Sequence, residues 1–353
     1  MPQPTGGLTS IFMAFHHHIQ SLLLAGIRFP VARSTDNVTP PAALAPLITA
    51  VALEHTASNA RAIEAGNRYR SAFWALYLLS ALAVLCAVTP LALGWDHGRQ
   101  VMHASAGFWA GMEVVVILVL GLIYWRGHHH DWQGQWLASR TEAELIWYLP
   151  LVAPLVFPTG TDATGNWYTR LASKILQVPD GGAIDTLCAR LERGVTGALH
   201  GIWSDTAFVK EYIAWALAQF DAQRRYHDRL TLRSEALMHR VHKINAWLFM
   251  LTLIGALMHL VVHSLWLSFV TIVFPALAAS LHGALAQTEA YRQAALSRRL
   301  CAELEKTMAM IASHCPALER DKVRDAIAAG LTLILEEHRD WHMLVRPHHL
   351  PLG

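Results

Sequence analysis

Four stretches of the chain lose nearly all their polar positions: Phe73–Leu93, Gly107–Tyr124, Ile244–Val262 and Leu265–Leu285. A helix needs about 20 apolar residues to cross the hydrocarbon core of a bilayer, and these stretches have or approach that length. Gly94–Ala106 joins the first two and only His263-Ser264 joins the last two, so they pair as two helical hairpins. Charged residues return on either side of each hairpin at helical spacing. A helix from near Ala50 carries Arg61, Arg68 and Arg70 into span one, and Ala207–Lys243 leads into span three. Span four continues into Gln287–Ser313. A last helix, Asp321–Val345, sets Val323, Ile327, Leu331, Ile334 and Leu335 on one face. No long segment alternates as a strand would. The expected fold is an all-α polytopic membrane protein, with four transmembrane helices in two hairpins and long cytoplasmic helical extensions.

The chain divides accordingly. Residues 1–49 read as an arm or linker, 50–149 and 207–313 as two helix-hairpin-helix units, 150–206 as a cytoplasmic connecting segment, and 314–353 as a terminal helix and tail. The apolar run Ile11–Phe29 is interrupted by His16, His17 and His18 and lacks a small-residue cleavage site after it. It reads as a cytoplasmic arm rather than a signal peptide or a fifth span. Trp125–Tyr148 reads as one helix continuing inward from span two. Pro150, Pro154 and Pro158 are expected to end it and to leave a loop as far as Gly165, because proline lacks the amide donor and collides with the preceding turn. The run Leu145–Phe157 is too short to span, and burial against other helices suits its three prolines best.

Composition sharpens this picture. Of the 353 residues, 54% are hydrophobic and 15% charged, with a mean hydropathy of +0.30. Soluble domains carry about 25% charged residues, so the balance excludes a disordered chain and argues against an ordinary soluble enzyme. A net charge of +2 provides no basic face for nucleic acid. The four cysteines contain no C-x-x-C, which removes a disulfide framework and the common zinc spacings. Of the 28 Lys and Arg, five precede span one, thirteen lie between spans two and three and nine follow span four. The positive-inside rule therefore places both termini and the central segment in the cytoplasm.

Inside the spans, Glu113 stands out. It lies about 10 Å from the outer edge of span two, at a depth where a carboxylate must be paired, protonated or wet. His259 reaches a comparable depth in span three. Either the two line an ion or proton path, or Glu113 is protonated and serves a helix–helix contact. His259, His263 and His282 fit structural hydrogen bonds between helices better than a pH-sensing role. Pro275 marks a bend or a gating kink in span four. His338 and His342 stand four apart, but no third ligand accompanies them, and a solvated face reads better than a metal site. Trp74, Trp125, Trp132 and Trp247 sit where an inner aromatic belt is expected. No phosphate loop, nucleophile elbow or catalytic set is visible, and no cofactor or metal is expected.

Several short signatures then fall into a pattern. Arg68-Tyr69-Arg70 leads into span one and Glu113 lies in span two. Trp132, Trp136, Arg140 and Glu144 follow on the next helix. Gln219, Gln223 and Tyr226-His227 precede span three, and Pro275-Ala276-Leu277-Ala278-Ala279 with His282-Gly283 runs along span four. Glu337 and Asp340-Trp341 lie near the C-terminus. From about residue 50 to 345 the chain resembles the SLATT-type prokaryotic membrane effectors. The resemblance implies an oligomeric pore-forming effector of the bacterial inner membrane in an anti-phage or nucleotide-signalled system. It also implies a separate nucleotide-sensing partner or a small nucleotide signal taken up by the chain itself. The cytoplasmic candidates for gating or partner binding are Arg140, Glu144, Arg224, Arg225, Tyr226, His227, Glu337, Asp340 and Trp341. The competing reading is a non-conducting scaffold that anchors a soluble partner through Ala207–Lys243 and the terminal helices; a metalloenzyme built on the His-rich inner surface is a third.

Overall fold

The computed structural model describes residues 8–30, 38–94, 100–156, 201–315, 319–345 and 350. Every regular element among them is helical. In chain order they are α1 (Leu8–Leu23), α2 (Ala45–Ala92), α3 (Gln100–His129), α4 (Trp132–Val156), α5 (Thr206–His259), α6 (Leu265–Gln287), α7 (Ala290–His314) and α8 (Arg320–Val345). Four of the helical stretches, within α2, α3, α5 and α6–α7, are long and apolar enough to cross a membrane.

α2 and α5 organise the molecule. With 48 and 54 residues they are about 70 and 80 Å long at 1.5 Å per residue, against a hydrocarbon core of about 30 Å. More than half of each therefore projects beyond the bilayer. α2 starts five residues earlier than expected because Pro46 falls in its first turn, where a missing amide donor costs nothing. Asp205 starts α5, its Oδ1 accepting the amide of Ala207 at 2.8 Å. In the membrane layer α2 packs against α3 and α6, and α5 against α6; outside it α2 packs against α1 and α4, α5 against α7, and α7 against α8.

The extramembrane bundle has two cores. Leu44, Leu47, Leu145, Tyr212, Phe220, Leu304, Ile311 and Ile327 form the membrane-distal one. Tyr69, Phe73, Trp74, Leu76, Trp132, Trp136, Val241 and Ala284 form the proximal one. Fully burying one such aliphatic or aromatic side chain is worth about 1.5–3 kcal/mol. The expected stripe Val323, Ile327, Leu331, Ile334 and Leu335 is buried throughout.

Several expectations are revised. The arm contains a helix, α1, whose His16 is buried against Ser71 of α2, with imidazole Nδ1 3.1 Å from the hydroxyl. The helix expected to run through 125–148 is cut at Asp131, which adopts a left-handed φ of 43° and accepts the Gly134 amide on Oδ1 at 3.1 Å. Glu289, at φ 50°, likewise separates α7 from α6. Pro150 and Pro154 do not end α4, which continues through both to Val156. The segment is held in the membrane-distal core by its buried side chains, and two of its carbonyls take side-chain donors. The Tyr212 hydroxyl donates to the Leu151 carbonyl, and the Trp203 indole donates to the Pro154 carbonyl at 2.6 Å. The expected loop after Val156, including Pro158, lies outside the described residues. As expected, Leu145–Ala153 is largely buried. Trp74 and Trp132 are core residues rather than belt residues, whereas Trp125 and Trp247 are exposed. Both belong to the proximal core, Trp132 with Phe12 of α1 packed at 6.3 Å against its ring, which takes them away from the lipid.

Candidate functional site

Four helices each bring one polar stripe to the gap between the two cores. On α2, His55, Asn59, Asn67 and Arg70 share a face. On α4 the stripe is Trp136, Arg140, Glu144 and Trp147; on α5, Gln223, Tyr226 and His227; on α8, Glu337, His338 and Trp341. On α2 and α4 the steps are three, four or eight residues, which places those residues on one side, whereas Tyr226-His227 on α5 and Glu337-His338 on α8 are adjacent pairs that both reach the wall. His17 of α1 and Gln293 of α7 complete the wall. Together they enclose a cavity of about 530 Å³, within the roughly 300–1,000 Å³ typical of small-molecule sites.

The membrane-proximal end is cationic and aromatic. The Arg70 guanidinium lies 4.8 Å from the ring centre of Trp136, a cation–π arrangement. Burial lowers its pKa to about 10, with Arg140 and Arg233 adding to the effect, and it remains protonated at neutral pH. Among the described residues no carboxylate pairs with it. Trp136 is held from several sides: Tyr69 stacks on it at 5.4 Å and Trp341 meets it edge-on at 5.1 Å. Gly66 leaves room for it, since a Cβ there would lie 2.7 Å from the indole Nε1. The Tyr69 hydroxyl accepts a hydrogen bond from Gln287 at 3.0 Å, at the last residue of α6.

The other end carries the acids. Arg140 is ion-paired with Glu144, one turn on. Burial raises the pKa of Glu144, opposed by Arg140. Glu337 is pushed up to about 7, first by burial and then by Glu144 and Asp340, against the pull of Arg140. Three of the wall histidines are shifted toward the neutral form. His227 is lowered to about 4 by burial and then by Arg140, its Nδ1 3.0 Å from the Ser297 hydroxyl. Burial also lowers His17 and His55, the latter packed at 4.8 Å against Trp147. His338 meets the Thr141 hydroxyl at 3.2 Å through Nε2. No group of His, Cys, Asp and Glu suited to a metal ion occurs among the described residues.

Of the cytoplasmic candidates, Arg140, Glu144, Tyr226, His227, Glu337 and Trp341 line this one cavity. Asp340 lies beside it, paired with Arg339 at 3.1 Å. Arg224 and Arg225 do not reach it. Arg224 bridges Asp221 at 2.8 Å and Glu305 at 3.3 Å, and Arg225 pairs with Asp221 at 2.7 Å. In the membrane layer, Glu113 and His259 are not brought together within one chain. α3, which carries Glu113, packs on α2, and no hydrogen bond or ion pair joins Glu113 to His259. His259 neighbours His263 at 6.0 Å, its Nδ1 buried without a hydrogen-bond partner. His282 is exposed and stacks near His242 at 6.4 Å across α5 and α6. Pro275 lies inside an otherwise regular α6.

Arg70 and Trp136 were visible only as members of short signatures and His17 only as an interruption of an apolar run, and His55, Asn59, Asn67, Trp147 and Gln293 escaped notice. The available signal was the polar face His55, Asn59, Asn67, Arg70 on a helix that runs on into a span. Comparison of the chain with family models, with curated proteins and with solved structures returned no match.

Proposed function

We propose that this chain is the protomer of an oligomeric membrane channel or pore-forming effector, gated through its cytoplasmic helices. One observation carries the reading. α2 and α5 line the cavity and continue without a break into spans one and three, so Arg70 stands one turn from Phe73. Tyr69 meanwhile ties the cavity wall to Gln287 at the end of span four. A ligand or partner that repositions these residues acts directly on helices that cross the membrane.

Two features of α3 support a conducting assembly of several copies. Val114, Val115, Ile117, Leu118 and Leu122 are exposed in the single chain, which suits lipid or a second copy. Glu113 sits among them with no ion-pair partner among the described residues, and an ionised carboxylate there would call for water or a neighbouring subunit. The resemblance to SLATT-type effectors adds the cellular setting: a multi-pass protein of the bacterial inner membrane with both termini cytoplasmic, acting in anti-phage or nucleotide-signalled defence. The ion pairs of Arg224 and Arg225 within the chain take from the scaffold reading the charges it would use for a partner.

Ion release from liposomes containing the full-length protein tests the proposal. Wild type conducts, and Glu113→Gln changes the rate at least several-fold. Wild-type and Glu113→Gln proteins conducting at the same rate would remove α3 from the path and with it this reading.

A further inference from the structure

α1 meets the two long helices at nearly one height above the membrane. The His16 imidazole touches the Ser71 hydroxyl, two residues from Phe73 at the start of span one and so about 3 Å out along α2. Nine residues later the Ala25 carbonyl accepts the Arg240 guanidinium at 3.0 Å, four residues or about 6 Å out from Ile244 on α5. Those nine residues carry the chain about 14 Å, so α1 runs nearly in the plane of the bilayer surface and not along the bundle axis.

Its two edges differ. His17 opens on the cavity, and Gln20 accepts from Arg233, eleven residues or about 16 Å out on α5, so this edge is turned away from the membrane. Ile11, Phe15, Ile19 and Leu22 follow one another at steps of four, four and three, a stripe on the opposite side of the helix. Ile11 and Leu22 are exposed, and Phe15 and Ile19 are covered in part by the proximal core. Near the same height stand exposed cations with no ion pair among the described residues: Arg28, three residues beyond Ala25; Arg126, beside the exposed Trp125; and Lys243, beside Ile244. A helix with an apolar edge, a polar edge and a basic fringe lies in the headgroup layer, its apolar side sunk by about 5–10 Å.

We propose that α1 is a surface helix seated on an anionic phospholipid leaflet, the one that faces the bundle. Ile11, Phe15, Ile19 and Leu22 enter the headgroup layer, and Arg28, Arg126 and Lys243 meet lipid phosphates. A zwitterionic surface exerts no net pull on three unpaired cations, whereas an anionic one does. From Leu8 to Pro30 the chain has no Asp or Glu, so a second copy on the same stripe brings no charge to neutralise them. The inference requires the spans but not conduction.

Nitroxides on Leu22→Cys and His17→Cys test it in the full-length protein with Cys86, Cys188, Cys301 and Cys315 replaced by serine. The vesicles are phosphatidylcholine with and without phosphatidylglycerol. With phosphatidylglycerol, the label on residue 22 meets membrane-dissolved oxygen at least several-fold more often than a water-soluble nickel chelate, and the label on residue 17 shows the reverse. Arg28→Gln combined with Lys243→Gln returns the label on residue 22 towards water. A label there that meets the chelate as freely as the one on residue 17 overturns the proposal, and so does equal depth in the two vesicle types. Spin–spin broadening that vanishes on dilution with unlabelled protein assigns the stripe to a second copy and also overturns it. Hydrogen exchange of the unaltered chain is the second measurement. Amides of Leu8–Leu23 exchange several-fold more slowly in the anionic vesicles, and equal rates overturn the proposal. None of these outcomes depends on flux, so the channel reading stands or falls separately.

Discussion

Glu337 ties the stability of the extramembrane bundle to pH, and Glu337→Gln isolates its contribution. In the unfolded chain this carboxyl titrates near its ordinary 4.5; in the folded protein burial, Glu144 and Asp340 hold it at about 7. Between those values the folded state keeps a proton that the unfolded state has lost. The stabilisation from Glu337 is therefore complete below about pH 4.5 and drains away as pH rises towards 7, at about 1.4 kcal/mol per pH unit. The whole change is on the order of 3 kcal/mol. Above that pH both states are ionised and the contribution is flat. His16 and His227, lowered to about 3 and about 4 by burial, act with the opposite sign, since their unfolded forms bind the extra proton. They are present in both proteins and cancel in the difference. The stability of Glu337→Gln relative to wild type should thus rise by about 3 kcal/mol between pH 4.5 and 8. At about 2 °C per kcal/mol for a chain of this size, the melting temperatures shift relative to one another by about 6 °C. Far-UV circular dichroism of the full-length protein in a non-titrating detergent measures this. A melting-temperature difference that stays constant across the range would refute the reasoning, whatever its size, because a fixed offset reports only the amide's packing.

Two further substitutions probe the supports of the cavity. Gly66→Ala places a methyl 2.7 Å from the Trp136 indole nitrogen and 2.9 Å from its Cδ1, so the ring that carries Arg70 must shift. The expected cost is about 1–3 kcal/mol, read as a lower melting temperature, and an unchanged one would show that the ring is not held there. Trp203→Phe removes the only donor that reaches the Pro154 carbonyl among the described residues and should cost about 1–3 kcal/mol. A neutral result in thermal unfolding would mean that water replaces the indole.

The membrane layer was legible because its rule is local. A segment in hydrocarbon must satisfy its own backbone hydrogen bonds, so length and apolarity alone mark the spans, and α2, α3, α5 and α6 cross where the apolar runs lie. Helical periodicity was equally local, and it exposed the buried stripe of α8 and the unbroken passage of α5 from charged helix to span. The signals that misled depend on distant partners. Pro150 and Pro154 announce a helix end, yet α4 runs through both to Val156, its side chains buried in a core built by residues far along the chain such as Tyr212 and Trp203. Asp131 and Glu289 give no glycine-like sign of a left-handed turn, and the helices break there nonetheless.

The candidate site divides along the same line. The chain's own order of residues determined that it carries four apolar spans in two hairpins, and that polar faces continue from them outside the bilayer, because each of these properties is a short-range repeat. Only the tertiary structure decided that the faces of α2, α4, α5 and α8 meet around one cavity. It also turned Arg224 and Arg225 to Asp221 and Glu305, and it separated Glu113 from His259. Helix period fixes which residues share a face, whereas the neighbour that face meets is chosen by packing between segments far apart in sequence. The charge state of Glu337 belongs to that second level, since it is set by the burial and the carboxylates that neighbouring helices bring to it.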